Sequence, residues 1–189
     1  MTRSNGIHAD ISGSPTATVH PLKQVEPART SGQVSATRHP MSIRNATHDD
    51  IPRIVEMAGR FYETTAYAEQ VPMAKESAAG LAILTMESGV MLVVECDKAV
   101  VGMACLFVDQ FTFNINRTVA HELAYWIEPE HRGGMLAARM LKAIEAACLE
   151  KSVDWIHMAH LPTSPEMTGQ LYERFGYTCS GTNYMKVIS

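Results

Sequence analysis

The 189-residue sequence has no apolar run approaching the roughly 18 residues that a bilayer-spanning helix needs, which excludes a helical membrane span. Its longest apolar stretch, residues 99–108, is strand-sized. No N-terminal segment resembles the hydrophobic core of a signal peptide. The four cysteines (Cys96, Cys105, Cys148 and Cys179) show no CxxC pairing and sit in apolar stretches. They read as buried free thiols in a reducing compartment, the cytoplasm, and not as a disulfide framework. A basic balance is also missing. The formal net charge is −4; Arg3, Lys23, Arg29 and Arg38 against Asp10 and Glu26 give residues 1–40 a balance of +2, which leaves −6 on residues 41–189. So acidic a body repels polyanions, and neither nucleic acid nor membrane is an expected partner.

What is present fits one folded domain. Hydrophobic residues make up 46% and charged residues 19%, enough to build a single core. Residues 1–40 lack periodicity and consist largely of Ser, Thr, Pro, Gly and His, so they bury too little apolar area to offset their ordering entropy. They are read as a disordered N-terminal extension to a domain at 41–189. From Met41 the pattern sharpens. Residues 42–45 form a short strand, and Thr47 or Asp49 caps a helix whose Ile51, Ile54, Val55, Ala58, Phe61 and Tyr62 keep helical spacing. A second helix covers 73–86 and ends at Gly89. Strands at 90–95 and 99–108 are joined by a tight polar connection, and a further strand covers 120–127. A helix then runs to about Lys151 with Leu136, Met140, Leu141, Ile144 and Cys148 on its apolar stripe. A strand at 155–160, a helix at 166–175 and a final hairpin from Tyr177 complete an α+β fold, a mixed and mostly antiparallel sheet flanked by helices.

Chemistry concentrates between Leu123 and Arg139. A strand leads through Pro129, Gly133 and Gly134 straight into a helix, whose first amides have no internal acceptor and sit at the positive end of the helix dipole. This is an anion site suited to a diphosphate. GxGxxG is absent, as is the Gly-Lys-Ser/Thr of a Walker loop, so neither a dinucleotide fold nor a P-loop is indicated.

The stretch Ile127-Glu128-Pro129-Glu130-His131-Arg132-Gly133-Gly134-Met135-Leu136-Ala137 resembles the acetyl-CoA loop of the GNAT superfamily of N-acetyltransferases, with Arg132 and Ala137 in matching places. Met135 stands where the family usually has glycine. Leu171-Tyr172-Glu173-Arg174-Phe175-Gly176-Tyr177 is similar to a second segment of the family, whose tyrosine often protonates the departing thiolate; seven residues earlier Pro165 replaces the asparagine of many members. The resemblance covers about 41–189. It implies a GNAT-like fold and transfer of an acetyl group from acetyl-CoA, as co-substrate, to the primary amine of a small molecule or peptide. It places the cofactor on Trp126, Ile127, Arg132, Gly133, Gly134, Met135, Leu136, Ala137 and Ala138.

Two residues carry the implied catalysis. Glu122 is a carboxylate inside an apolar strand, where burial is costly unless it lines a cleft or finds a partner. Strict alternation puts it on one face with Ala124 and Trp126, with His121, Leu123, Tyr125 and Ile127 on the other. An acid on this strand often serves the family as general base, with His121 as the alternative here. Tyr172 is the matching acid, with a plain core role as its alternative. Arg139 and Lys142 read first as a solvated helix face, with contact of one of them to the cofactor's ribose phosphate as the alternative. His157 and His160 lie on opposite strand faces with no acid or thiol cluster beside them, so no metal is expected. The last two strands offer pairing between subunits in a homodimer. Two other readings stay open: a non-catalytic acyl-CoA-binding module, and a protein-interaction domain on the same fold.

Overall fold

The computed structural model describes residues 41–188, and the extension expected at 1–40 lies outside them. Strand β1 (Met41–Asn45) leads through a short 3₁₀ turn to helix α1 (Ile51–Tyr62). The turn is held by Asp50, which accepts from Arg44 at 2.7 and 3.0 Å and from the Thr47 N–H at 2.8 Å. The Arg44 hydrogen bonds, opposed by burial, bring its carboxyl down to about 2. Pro52 follows within the first helical turn, where its missing N–H costs nothing. Helix α2 (Lys75–Ser88) ends at Gly89, where a Cβ would run into the carbonyl oxygen of Leu106.

Strands β2 (Val90–Cys96), β3 (Ala99–Phe111) and β4 (Asn114–Ile127) form an antiparallel meander, and β5 (Trp155–His157) pairs with β4 in parallel. The order across the five-stranded sheet is β1-β2-β3-β4-β5. Helix α3 (Leu136–Glu150) links β4 to β5, and α4 (Met167–Arg174) follows β5. Helices cover both faces, which is why β2 reads as an almost unbroken apolar run and does not alternate. One face packs Met91, Val93, Met103, Cys105 and Ala124 against Ile54 and Met57 of α1 and Ala82 of α2. The other sets Leu92, Val94, Ala104, Leu106 and Ile127 against Met140, Leu141 and Ile144 of α3 and Tyr172 of α4. The expected α+β class with a mostly antiparallel sheet is the one observed. No helix among the described residues is long and apolar enough to cross a membrane.

Two expectations need correction. Residues 177–188 contain no strand, so the final hairpin is not formed. Gly181, Thr182 and Asn183 divide this segment into arms of only a few residues, and an isolated pair of such arms is marginal in water. The inter-subunit pairing expected of those strands therefore has no strand to build on. Cys179, carried on the same segment, is exposed, whereas Cys96, Cys105 and Cys148 are buried as expected. Burial pushes the Cys105 and Cys148 thiols up to about 11. The native protein is expected to react with one equivalent of a thiol reagent at pH 8 and the denatured protein with four, because thiolate and access are both needed. Titration with a chromogenic disulfide reads the difference directly.

Candidate active site

The site forms where two parallel strands part. β4 and β5 pair only through Val119–Trp155, Ala120–Ile156 and His121–His157, yet β4 runs on to Ile127 alongside β3. Beyond His121, the edge of β4 turned away from β3 has no strand beside it among the described residues. Glu122 is the first residue past the parting. Its register shows a bulge: Leu106 faces Glu122 and Cys105 faces Ala124, so Leu123 is the extra residue. Paired residues share a sheet face, and Glu122 therefore stands on the face of Leu106 with α3 and α4. The alternation expected from the sequence, which grouped it with Ala124 and Trp126, fails here because the bulge shifts the parity.

That shift brings the two proposed catalytic residues to one point. The Ala159 N–H, just past the end of β5, donates to Glu122 Oε2 at 2.8 Å. The Ala159 carbonyl accepts from the Tyr172 hydroxyl at 3.2 Å. One residue thus holds the carboxylate on one side and the phenol on the other. Burial pushes the Glu122 carboxyl up to about 7, against the pull of the Ala159 N–H. Tyr172, 8% exposed, is pushed well above the ordinary phenol range by burial and then by the charge of Glu122. The carboxyl titrates near neutrality while the phenol keeps its proton, a division suited to base and acid.

The second part of the site lies at the start of α3. Gly133 (φ +106°) and Gly134 (φ +58°) take left-handed backbone, which favours glycine at both positions. Leu136 is buried and seats the helix, whereas Met135 is 71% exposed, so its side chain stands outside the core. The Arg139 N–H donates to the Met135 carbonyl at 2.9 Å, the first helical bond of α3. The amides of Leu136, Ala137 and Ala138 belong to the first turn, where the helix supplies no acceptor. Gly134→Val is expected to destabilise the fold by about 1–3 kcal/mol, since a β-branched residue resists this φ and the turn must rearrange; urea denaturation checks it.

The remaining sequence candidates fall into place around this frame. Trp126 lies on the α1 side of the sheet with the Arg132 guanidinium 4.4 Å over its ring, and the Arg132 Nε–H donates to the Ile127 carbonyl at 2.8 Å. Arg132 therefore ties the loop back to the end of β4. Arg139 donates to the Met41 carbonyl at 2.9 Å, which ties it to β1. His121 is exposed and stacks edge-on with His157 at 4.8 Å; burial and then His157 lower its pKa. Among the described residues no three His, Cys, Asp or Glu side chains gather as a metal site.

Sequence reasoning missed one group. Glu128 has a fully enclosed side chain that accepts from Arg53 at 2.7 Å, from Arg60 at 2.5 Å and from the Trp126 indole N–H at 3.2 Å. Burial pushes its carboxyl up, but the Arg60 and Trp126 hydrogen bonds and the arginine charges outweigh that and hold it below its ordinary value. The signal available in the sequence was Arg53 and Arg60, seven residues apart and so on one face of α1.

Residues 87–179 match the family model of the acetyltransferase (GNAT) domain. No curated protein matches the chain. Among solved structures, the chain is similar to a Trypanosoma brucei acetyltransferase, with 19% identity, TM-score 0.60, and coverage of 79% of this chain and all of that one. A predicted acetyltransferase with acetyl-CoA from Clostridium acetobutylicum gives 15% identity and TM-score 0.61 over 79% of this chain and 96% of that one. A ribosomal-protein-alanine N-acetyltransferase from Brucella melitensis gives 15% and 0.61 over 79% of this chain and 100% of that one. At these identities the likeness carries the fold.

Proposed function

Because residues 87–179 match the acetyltransferase (GNAT) domain model on a sheet and helices laid out as in solved acetyltransferases, we propose that the protein moves an acetyl group from acetyl-CoA to a primary amine by direct attack, with Glu122 as base and Tyr172 as acid. The observation that carries this reading is Ala159, which holds both side chains at the point where β4 and β5 part. The acetyl-CoA in the Clostridium acetobutylicum neighbour supports the choice of co-substrate. So does the start of α3, where two glycines in left-handed backbone and an outward Met135 leave the first-turn amides of Leu136, Ala137 and Ala138 fit to receive a diphosphate. Arg132, Gly133 and Gly134 shape that turn, and the main chain of Trp126 and Ile127 lies along the open stretch of β4, in place to steady the thioester.

The chemistry follows from the two titrations. An alkyl amine with a pKa near 10.4 is only ~0.04% neutral at pH 7, so the ammonium must lose a proton before its nitrogen can bond to carbon. Glu122, directly or through one water, takes that proton when its carboxyl is ionised, which a value of about 7 permits at neutral pH. As the new C–N bond forms, the C–S bond breaks and the sulfur leaves as a thiolate. Tyr172 still holds its proton and delivers it to that sulfur, turning away from the Ala159 carbonyl to do so. The nitrogen's second proton goes to solvent and the one taken by Glu122 returns through water to the Tyr172 phenolate, so the products are an amide, a thiol and one proton and both side chains are reset. Holding the two reactants in line supplies much of the rate. The domain spans 41–189 in this reading, and its three buried thiols suit a reducing cytoplasm.

An amine-panel assay following free thiol release tests the proposal. Turnover of at least one amine, lost in Glu122→Gln, is the expected result. Tight acetyl-CoA binding with no turnover of any amine favours the non-catalytic acyl-CoA-binding reading, to which Met135 and Pro165 lend support as departures from the family pattern.

A further inference from the structure

Glu128 lies 68 and 75 positions along the chain from Arg60 and Arg53, yet both guanidiniums converge on its Oε1. Its Oε2 accepts from the Trp126 indole N–H, and Arg132 lies over the ring of that same indole. Arg132 in turn bonds the Ile127 carbonyl and leads directly into Gly133. The main chain reinforces the arrangement: the Glu128 N–H donates to Val101 of β3 at 2.9 Å, and the His131 N–H returns to the Glu128 carbonyl at 2.9 Å. A continuous line of contacts therefore runs from α1 through Glu128 and Trp126 to the residue before the glycine turn. An enclosed carboxylate has a desolvation cost that well-packed apolar residues would avoid.

We propose that Glu128 is a positioning residue: by locking Trp126 beneath Arg132 it fixes the point from which Gly133–Ala138 present their amides to the diphosphate of acetyl-CoA. The inference rests on the acetyl-CoA reading above. It assigns Arg53 and Arg60 a part in co-substrate binding that they play at a distance, through Glu128. A loop aimed by a rigid support is expected to lose affinity when the support is loosened, even where every amide is still present.

The test uses Glu128→Gln and Arg60→Gln, with Glu128→Asp as the charge-retaining control. Calorimetry gives the acetyl-CoA Kd, and steady-state kinetics separate KM from kcat. Glu128→Gln is expected to raise Kd and KM for acetyl-CoA about tenfold, the size of one charge-assisted hydrogen bond, with kcat within about twofold of wild type. Arg60→Gln, at a half-exposed position, should raise them about threefold, and Glu128→Asp should recover part of the loss. A purely structural role would lower the melting temperature while leaving Kd of the folded protein unchanged, and that result would overturn the inference. Should Glu128→Gln fail to fold, an unchanged Kd in Arg60→Gln overturns it equally. A wild type that does not bind acetyl-CoA overturns the underlying reading as well; a wild type that binds, with both variants binding as tightly, overturns this inference alone.

Discussion

Glu122→Gln is expected to lower kcat/KM by about 10²–10⁴-fold at pH 8 and, at the same pH, to make the protein more stable. Both effects come from one titration. The folded chain keeps a proton on Glu122 up to about pH 7, whereas the unfolded chain releases it near the ordinary carboxyl value of 4.5. Between those values the native state binds more protons, so stability falls as pH rises, and the loss is complete above pH 7. The shift corresponds to on the order of 3 kcal/mol. Glutamine carries no charge to desolvate and still offers the Ala159 N–H a carbonyl oxygen. Wild-type activity should rise about tenfold per pH unit below 7 and level off above it, because only the ionised carboxyl accepts a proton. In the variant that limb should vanish. Urea denaturation at pH 5 and pH 8, set beside pH–rate profiles of both proteins, measures the two halves; a variant that is less stable at pH 8, or one with the wild-type acid limb, contradicts the assignment.

Tyr172→Phe should lower kcat about a hundredfold while leaving the acetyl-CoA KM within twofold. Only a hydroxyl is removed, the ring keeps its place in the core, and the Ala159 carbonyl it releases belongs to an exposed residue that water can reach. The stability change is therefore expected to stay within about 1 kcal/mol. As the proposed acid, Tyr172 lends its proton only to the leaving sulfur. A thioester whose thiol is more acidic than that of coenzyme A should restore much of the lost rate, since its thiolate leaves with less need of a donor. An equal loss with both thioesters would mean that Tyr172 supports the fold and donates nothing.

The layout of helices and strands was legible because hydrophobic spacing and punctuation agreed. Helical spacing from Ile51 to Tyr62, Gly89 after α2, and the stripe from Leu136 to Cys148 each appear where the structure puts them. Glu122 and Tyr172 stood out in the sequence as candidates for a chemical reason, a carboxylate in an apolar strand and a phenol in a matching motif. Their meeting was not. It depends on Leu123 bulging out of register with β3, and nothing in the alternation of residues 120–127 marks the place. Glu128 escaped because nothing in the sequence around Pro129 links it to arginines on a distant helix. Only the folded chain shows that they share a carboxylate 68 and 75 positions away. The hairpin expected from Tyr177 onward failed because apolar content alone does not provide a partner strand.

An amide-resolved NMR titration of the protein with acetyl-CoA bears on the whole reading at once. The amides of Gly134, Met135, Leu136, Ala137 and Ala138 should show the largest shifts, saturating together with those of Trp126 and Ile127 along the open stretch of β4. Saturable binding that leaves those five amides unmoved, or no binding at all, would contradict the account.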